Sequence, residues 1–281
     1  MLWFYFSRNN KDNQKLIGYL VDQRKIDPSV VSHFIQDNSL YQSKVTTQKG
    51  ATFSNIAFVC KNFDGAAAGA IKRGFPVKDR AGFKGNAEGS DIGNYGFSKD
   101  GQGSLFVFEA PVDMMSYMSM IANPNPNAEN FGKDAASANL ANTLGFGYLA
   151  TGGTHISSLI NYLNHEANQG RYQKIYLCHD NDTAGLDARL TAMAALEKQG
   201  IDAEIICHFP SGKDWNEDLT NNDRSKDVVK GSTAEIVEAI NKRQKDFFQQ
   251  KNQKMEEVKL QQDSKDYVAK QSHPSNALKR A

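Results

Sequence analysis

Short apolar runs alternate with longer segments of helical periodicity through the middle of the chain. Four of these runs are rich in β-branched and aromatic residues and are typical of buried strands: residues 104–108, 146–150, 174–178 and 203–208. The segments between them carry apolar residues at the spacing of an amphipathic helix, most clearly in residues 183–199. Because strands that alternate with helices form parallel sheets, the pattern predicts an α/β fold with a parallel four-stranded sheet and flanking helices.

Acidic residues stand at the carboxyl ends of two of these strands. Glu109 directly follows the first strand, with Asp113 four residues later. Asp180 and Asp182 follow the third strand. Ligands of open parallel sheets bind at the carboxyl ends of the strands, so these acids lie where chemistry is expected. If the two strands are neighbours, Glu109, Asp180 and Asp182 converge and suit a hard divalent cation, which prefers oxygen ligands.

An ordinary structural role competes with a chemical role at these positions. Asp182 stands directly before the predicted helix 183–199, where aspartate is a favoured N-cap residue. Asp113 lies near the start of another predicted helix and is open to the same interpretation. The two interpretations differ in outcome, because acids that only cap helices leave the melting temperature insensitive to magnesium.

The order of these acidic motifs resembles that of a known family. A strand followed by Glu-x-x-x-Asp, and a later strand followed by Asp-x-Asp-x-x-Gly, are similar to the Toprim domain that topoisomerases, bacterial primases and small nucleases share. The resemblance implies a compact parallel sheet with Glu109, Asp180 and Asp182 as catalytic residues and as ligands of Mg2+, or alternatively of Mn2+. It implies supporting roles for Asp113 and Gly185.

A third segment, residues 210–219, strengthens this resemblance. It follows the last predicted strand and is similar to the Lys-Asp-Pro-Asp segment of primase Toprim domains, with Lys213 and Asp214 matching the first two positions. Trp215 and Asn216 stand where the family has proline and aspartate. We therefore expect Lys213 to contact phosphate and Asp214 to support the site.

The first hundred residues predict a smaller α+β subdomain. Two helices and two strands are indicated, by residues 11–21, 28–37, 55–60 and 66–71. The helices allow either a helix-turn-helix DNA reader or a plain packed pair. Residues 19–34 also resemble the start of the primase catalytic core, although Lys25 stands where that pattern usually has glycine.

Positive charges and aromatic rings are interleaved in and after the predicted strands of this subdomain. The candidate cations for binding nucleic acid or nucleotides are Lys61, Lys72, Arg73 and Lys84. Phe63, Phe75 and Phe83 lie among them, and such a mixture can hold a phosphate backbone while stacking single-stranded bases. An ordinary charged surface is the alternative, because acidic residues dilute the cluster.

The resemblance, the order of the predicted elements and a change in composition after residue 218 divide the chain into three parts. We predict an N-terminal α+β primase-core-like subdomain in residues 1–100, a Toprim domain in residues 101–225 and a polar helical tail in residues 226–281 whose end is disordered. The stretch 19–219 also resembles an uncharacterised Toprim-linked arrangement carried on plasmids, phages and conjugative elements.

Composition narrows the class of protein without identifying it. The 281 residues carry a formal net charge of +1 and 40% are hydrophobic, enough for one sizeable core or two small ones. No apolar run approaches the roughly 20 residues of a membrane helix, so we expect a cytoplasmic protein with no membrane partner. Cys60, Cys178 and Cys207 each end an apolar run without a Cys-x-x-Cys pair, which predicts buried free thiols.

Three functional hypotheses follow from the motifs and their resemblance. The first is a Mg2+-dependent, primase-like nucleotidyl transfer in replication or transfer of a mobile element. Its expected partners are DNA, preferably single-stranded, or RNA, together with nucleoside triphosphates and other replication or transfer proteins. The alternatives are a Toprim nuclease that cleaves phosphodiester bonds and a non-catalytic DNA-binding accessory protein. The chain lacks the active-site tyrosine context of a topoisomerase.

Overall fold

The computed structural model describes residues 13–46, 50, 52–76, 82–122, 140–223 and 227–271. The chain separates into two compact units, Met1–Ile236 and Val237–Ala281. Both β-sheets lie in the first unit, and the second unit contains most of one long helix.

A helical segment opens the described chain. Helix α1 (Gln14–Ile17) continues into a π-helical turn (Gly18–Gln23), and helix α2 (Pro28–Gln36) follows. Asp27 caps α2, because its side chain accepts a hydrogen bond from the backbone N–H of Ser29 and a proline occupies the first helical position. The second predicted helix is therefore confirmed, and the first is confirmed from residue 14 onward.

Four antiparallel strands form the first sheet. In sheet order they are β1 (Leu40–Thr46), β2 (Thr52–Lys61), β3 (Ala67–Gly74) and β4 (Lys84–Asn86). The two predicted strands correspond to β2 and β3. The pattern missed β1, which is mostly polar, and β4, which has three residues and a central glycine. Ile56 and Phe58 face the core from one side of this sheet.

The second sheet has six strands. They are β5 (Phe97–Lys99), β6 (Gly103–Phe108), β7 (Gly147–Ala150), β8 (Tyr172–Leu177), β9 (Glu204–Phe209) and β10 (Asp227–Lys230). In the order β10-β9-β8-β6-β7-β5, the inner four are parallel and both edge strands are antiparallel. The predicted α/β fold and its four parallel strands are confirmed, and two short edge strands extend the sheet beyond the prediction.

Helices connect and cover the strands of the second sheet. They are α3 (Pro111–Ala122), α4 (Ser157–Asn164), α5 (Thr183–Lys198) and α6 (Trp215–Thr220), with a short 3-10 turn (Glu166–Asn168) after α4. Helix α5 matches the prediction within one residue. The sequence also predicts a helix over residues 134–144, most of which lie outside the described residues.

One hydrophobic core joins the two sheets. Phe97 of β5 packs against Phe34 of α2, with ring centroids 4.9 Å apart, and against Phe58 of β2 at 5.5 Å. All three side chains are buried, so the N-terminal helices and the first sheet are fixed to the second sheet by apolar packing.

Two further expectations concern thiols and membranes. Cys60, Cys178 and Cys207 are free and buried, as predicted. Among the described residues, no helix is both long and apolar enough to cross a membrane.

Helix α7 (Thr233–Gln271) forms most of the second unit. It is polar along most of its length, and several of its sparse large apolar side chains are exposed, with Met255 at 63% and Leu260 at 66%, whereas Ile236 and Ile240 near its start are buried. A polar helix therefore lies within the predicted tail 226–281, but residues 227–230 of that tail form β10 of the second sheet instead of helix. The end of the tail, for which disorder was predicted, lies outside the described residues.

Lys25 provides a test of the local backbone. It lies just after the π-helical turn at φ 58°, a left-handed conformation that costs most residues about 1 kcal/mol or more and glycine little. We expect Lys25→Gly to raise the free energy of unfolding by about 0.5–1 kcal/mol, measured by urea denaturation. Asn38→Gly at φ 57° is the matched control and should gain less, because asparagine tolerates this conformation. An equal gain in both variants would contradict this explanation.

Candidate active site at the carboxyl edge of the parallel sheet

The pairing of β6 with β8 brings two acidic residues together. These strands are hydrogen-bonded parallel neighbours, with Val107 opposite Leu177. Glu109 directly follows β6, and Asp180 follows β8 by three residues. The Oε1 atom of Glu109 accepts a hydrogen bond of 3.1 Å from the backbone N–H of Asp180. Adjacent parallel strands therefore produce the expected contact between the two acidic motifs.

Asp182 serves as the N-cap of α5. Its Oδ1 atom accepts a hydrogen bond of 3.0 Å from the backbone N–H of Gly185. Its Oδ2 atom lies 3.8 Å from Nζ of Lys213, and both side chains are partly exposed. Asp182 therefore caps α5, as its position predicted, and its partly exposed carboxylate lies beside Lys213, the predicted phosphate contact.

Gly185 permits a close approach between α5 and the residues Glu109 and Asp180, which we term the acidic pair. A Cβ atom at this position would lie 2.1 Å from the carbonyl oxygen of Asp180 and 2.8 Å from Oε1 of Glu109. These distances are too short for any side chain, so a glycine is required for the helix to begin beside the acids.

Asp113 and Asp214 connect the site to α6. Asp113 is buried in α3, and its Oδ1 atom accepts a hydrogen bond of 3.2 Å from the backbone N–H of Asn216. Asp214 caps α6 by accepting a hydrogen bond of 2.8 Å from the backbone N–H of Glu217. Both residues thus position the segment that carries Lys213.

Burial and mutual repulsion raise the pKa values of three of these acids. Burial is the largest cause for Asp180, whose pKa rises to about 8, and repulsion from Asp113 and Glu109 adds to it. Burial followed by repulsion from Asp214 raises the pKa of Asp113 to about 7. Burial also raises the pKa of Glu109. The carboxyl edge therefore holds more potential negative charge than the protein alone neutralises.

The acidic pair has the donor chemistry of a magnesium site. The Oδ1 atom of Asp180 is buried and has no hydrogen-bond partner among the described residues, so a ligand oxygen or cation would complete its environment. Those residues contain no group of three histidine, cysteine or acidic side chains close enough to hold an ion alone. Mg2+ often takes only one or two carboxylates and keeps water and substrate phosphates as its other ligands, so Glu109 and Asp180 fit it.

Comparison with known proteins agrees with this architecture. Residues 106–219 match the model of a family described as Toprim-like, and residues 18–110 match one described as "Protein of unknown function (DUF3991)". Residues 106–219 form a Toprim-like domain. None of the curated proteins matches the chain.

Several solved primase structures are similar to the chain at low sequence identity. The primase fragment of the bacteriophage T7 primase-helicase protein has a TM-score of 0.47 and 18% identity, covering 77% of this chain and 72% of that one. The Aquifex aeolicus primase with its zinc-binding and RNA polymerase domains has a TM-score of 0.47 and 15% identity, covering 78% and 57%. The E. coli primase catalytic core has a TM-score of 0.43 and 13% identity, covering 72% and 67%.

Arg189 is a site residue of the Toprim-like domain that the motifs did not reveal. Its guanidinium is fully buried and donates hydrogen bonds to the main-chain carbonyls of Asp180, His179 and His208 at 2.9, 2.6 and 2.9 Å. It therefore fixes the backbone after β8 to the end of β9. The sequence signal was a charged residue on the apolar face of α5, three residues after Leu186.

Asn216 links the Toprim-like domain to the N-terminal segment. Its side-chain amide donates to the carbonyl oxygen of Arg24 at 2.8 Å and to Oγ of Ser116 at 2.9 Å, and its Oδ1 accepts from Arg24 at 3.0 Å. The neighbouring Trp215 is buried and donates from its indole N–H to the carbonyl oxygen of Cys178. The two residues that depart from the family pattern thus join α6 to the rest of the fold.

The predicted basic cluster is divided among three places. Arg73 of β3 pairs with Lys84 of β4 on the core-facing side of the first sheet, and Arg73 is close enough to Asp113 to lower the pKa of that acid. Lys72 points to the opposite side, because neighbouring strand residues alternate in direction. Lys61 ends β2 and forms an ion pair of 2.8 Å with Asp37, away from the other three cations.

The raised acid pKa values predict a pH-dependent stability in the absence of divalent metal. An acid whose pKa is higher in the folded state binds more protons there, so its contribution to stability falls as pH rises from about 4 towards 8. With EDTA present, we expect Asp180→Asn to raise the melting temperature at pH 8 more than at pH 5. Circular dichroism melts measure this, with Asp202→Asn, an exposed acid outside the site, as the control. The same difference in both variants would exclude the crowded carboxylates as its source.

Proposed function

We propose that the protein is a divalent-metal-dependent nucleic-acid enzyme that performs primase-like nucleotidyl transfer. The observation that carries this proposal is the contact between Glu109 and Asp180 at the carboxyl edge of a Toprim-like domain. A half-buried acidic pair with one buried, unpartnered oxygen suits phosphoryl chemistry, because that chemistry depends on charge neutralisation and positioning.

The side chains of the site divide the work of such a reaction. Glu109 and Asp180 would hold Mg2+, or alternatively Mn2+, and the bound ion would neutralise charge on the reacting phosphate. Lys213 is exposed beside Asp182 and is suited to contact the outer phosphates of a nucleotide. Asp182 keeps α5 and its glycine in place, while its own role as a metal ligand remains part of the proposal.

Where Asp180 alone binds the ion, Glu109 is instead suited to accept a proton. Nucleotidyl transfer requires the attacking hydroxyl group to lose its proton, and a carboxylate with a raised pKa is a better base than an exposed carboxylate. Its hydrogen bond from the Asp180 N–H fixes the orientation of the carboxylate. Attack by water at the same position would instead hydrolyse a phosphodiester, so nuclease activity is the alternative outcome of this geometry.

A surface for single-stranded nucleic acid is proposed on the outer side of the first sheet. A cavity of about 590 Å³ lies there beside Lys72, and Phe53 and Phe83 line it with 57% and 55% of their side chains exposed. Exposed aromatic rings beside a lysine suit stacked bases and a phosphate backbone. The resemblance to proteins of plasmids, phages and conjugative elements supports a role in replication or transfer of such an element.

One assay separates the candidate activities. A labelled single-stranded DNA is incubated with the protein, all ribonucleotides and deoxyribonucleotides, and Mg2+ or Mn2+. We expect new oligonucleotides from the unaltered protein and at least a hundredfold less from Asp180→Ala/Asp182→Ala, because removing a catalytic carboxylate typically costs about that factor or more.

The controls define the alternatives in this assay. Asp202→Ala replaces an exposed acid outside the site and should retain activity, and circular dichroism confirms that each variant is folded. Metal-dependent shortening of the label would establish the nuclease. Neither synthesis nor cleavage, with a mobility shift that survives the double substitution, would replace the enzyme proposal with an accessory binding protein.

The nucleic-acid surface makes a separate prediction. We expect Phe83→Ala to weaken binding of single-stranded DNA by about fivefold to a hundredfold, because stacking of one base contributes about 1–3 kcal/mol. Lys72→Ala should reduce the dependence of log K on log salt concentration by about 0.7. Fluorescence anisotropy measures both effects, and Lys198→Ala, an exposed lysine at the end of α5, is the control. Unchanged affinity in both test variants would exclude this surface.

A further inference from the structure

A second cavity lies at the opposite end of the parallel sheet from the acidic pair. It has a volume of about 390 Å³ and is lined by residues that include Lys61, Phe63, Lys99, Ser158 and Arg171; we term it the amino-edge pocket. Lys99 and Arg171 lie before β6 and β8, whereas the acids follow these strands. Six-residue strands span about 20 Å, so the amino-edge pocket is separate from the candidate active site.

The amino-edge pocket has an excess of positive charge. Two of its cations are balanced by acids, since Lys61 lies 2.8 Å from Asp37 and Arg171 lies 3.7 Å from Asp100. Lys99 is half-buried and donates to the main-chain carbonyls of Asp100 and Leu144, and in the described part of the chain no carboxylate forms an ion pair with it.

The basic groups of the pocket also affect each other. Burial, followed by the nearby Arg171, lowers the pKa of Lys99, although Asp100 opposes this effect. Burial, followed by the charge of Lys99, lowers the pKa of His33, which lines the same cavity. Cations that disfavour one another in a half-buried space are stabilised by a bound anion.

Ser158 supplies a second, independent indication of a ligand. Its side chain lines the pocket and is fully buried, and its Oγ atom has no hydrogen-bond partner among the described residues. A buried hydroxyl without a partner is unfavourable, and an oxygen of a bound ligand would satisfy it.

A flat aromatic wall completes the pocket. Phe63 stacks on His165 with ring centroids 3.7 Å apart, and Tyr95 meets Phe63 edge-on at 5.5 Å. Phe63 remains 36% exposed, so part of its ring is open to a ligand. Aromatic surface beside cations and a hydroxyl, in a cavity of this size, suits a planar base joined to a phosphate.

We propose that the amino-edge pocket binds a mononucleotide-sized phosphate ester, with its phosphate near Lys99 and Ser158 and its ring against Phe63. This site does not depend on the acidic pair or on a divalent cation. It therefore gives the protein a nucleotide-binding site outside the proposed catalytic centre.

The test is isothermal titration of the full chain with AMP in the presence of EDTA, which removes any metal-dependent binding at the carboxyl edge. We expect one site per chain. Lys99→Met should lower the affinity for AMP by about tenfold or more, and Ser158→Ala should lower it by about threefold to tenfold, because each substitution removes a phosphate contact. Phe63→Leu should lower the affinity for AMP and leave the affinity for inorganic phosphate unchanged.

Matched variants keep the proposal open to refutation. Lys213→Ala removes an exposed lysine at the carboxyl edge and should leave AMP binding in EDTA unchanged. If Lys99→Met does not fold, Ser158→Ala and Phe63→Leu still decide the result. No AMP binding at millimolar concentration, inorganic phosphate that binds as tightly as AMP, or binding that is lost with Lys213→Ala would each overturn the proposal.

Discussion

The buried guanidinium of Arg189 is the interaction on which the acidic edge depends. Its hydrogen bonds to main-chain carbonyls hold the loop after β8 and the end of β9 in one arrangement, and its charge is close enough to Glu109 to oppose the rise in the pKa of that acid. A buried arginine is costly unless its donors are satisfied, and carbonyl oxygens accept hydrogen bonds from both of its terminal nitrogens without neutralising its charge. That remaining charge favours the ionised form of Glu109 and partly offsets repulsion among the carboxylates.

The attachment of the N-terminal segment to α6 follows from a departure from the family pattern. An aspartate in place of Asn216 would add a carboxylate to the residue whose backbone N–H contacts Asp113, an acid that is already buried and has a raised pKa. An asparagine can accept from Arg24 and also donate to its carbonyl oxygen, so it connects both segments without adding a negative charge. Asparagine at this position thus avoids a further carboxylate and provides hydrogen bonds that hold the segment containing Lys213.

The sequence was most informative where a single physical pattern dominated. Apolar runs identified the four inner strands. The acids after two of these runs predicted the contact between Glu109 and Asp180, because parallel neighbours must end at the same edge. The pattern did not predict the edge strands β1, β4, β5 and β10, because short or polar edge strands are held by strand pairing and lack an apolar pattern. Arg189 escaped because a charge on an apolar helix face has meaning only once its carbonyl partners are known.

The predicted basic residues do not form one cluster in the structure, for a related reason. Predicting the second strand only as far as residue 71 left Lys72 and Arg73 in a loop, where both could face one ligand. In β3 they are consecutive strand residues, and a period of two sends them to opposite sides of the sheet. Arg73 therefore belongs electrostatically with the acids, whereas Lys72 belongs with the exposed phenylalanines.

The two edges of the parallel sheet impose different conditions on a phosphate ligand. At the carboxyl edge, several acids repel phosphate, so an anionic ligand becomes favourable there only with a cation between them. At the amino edge, Lys99 is left without a carboxylate in ion-pair contact within the described residues, and phosphate is attracted directly. Dependence on divalent metal therefore distinguishes the two sites. A nucleotide bound without metal at the amino edge lacks the cation on which the proposed phosphoryl transfer depends.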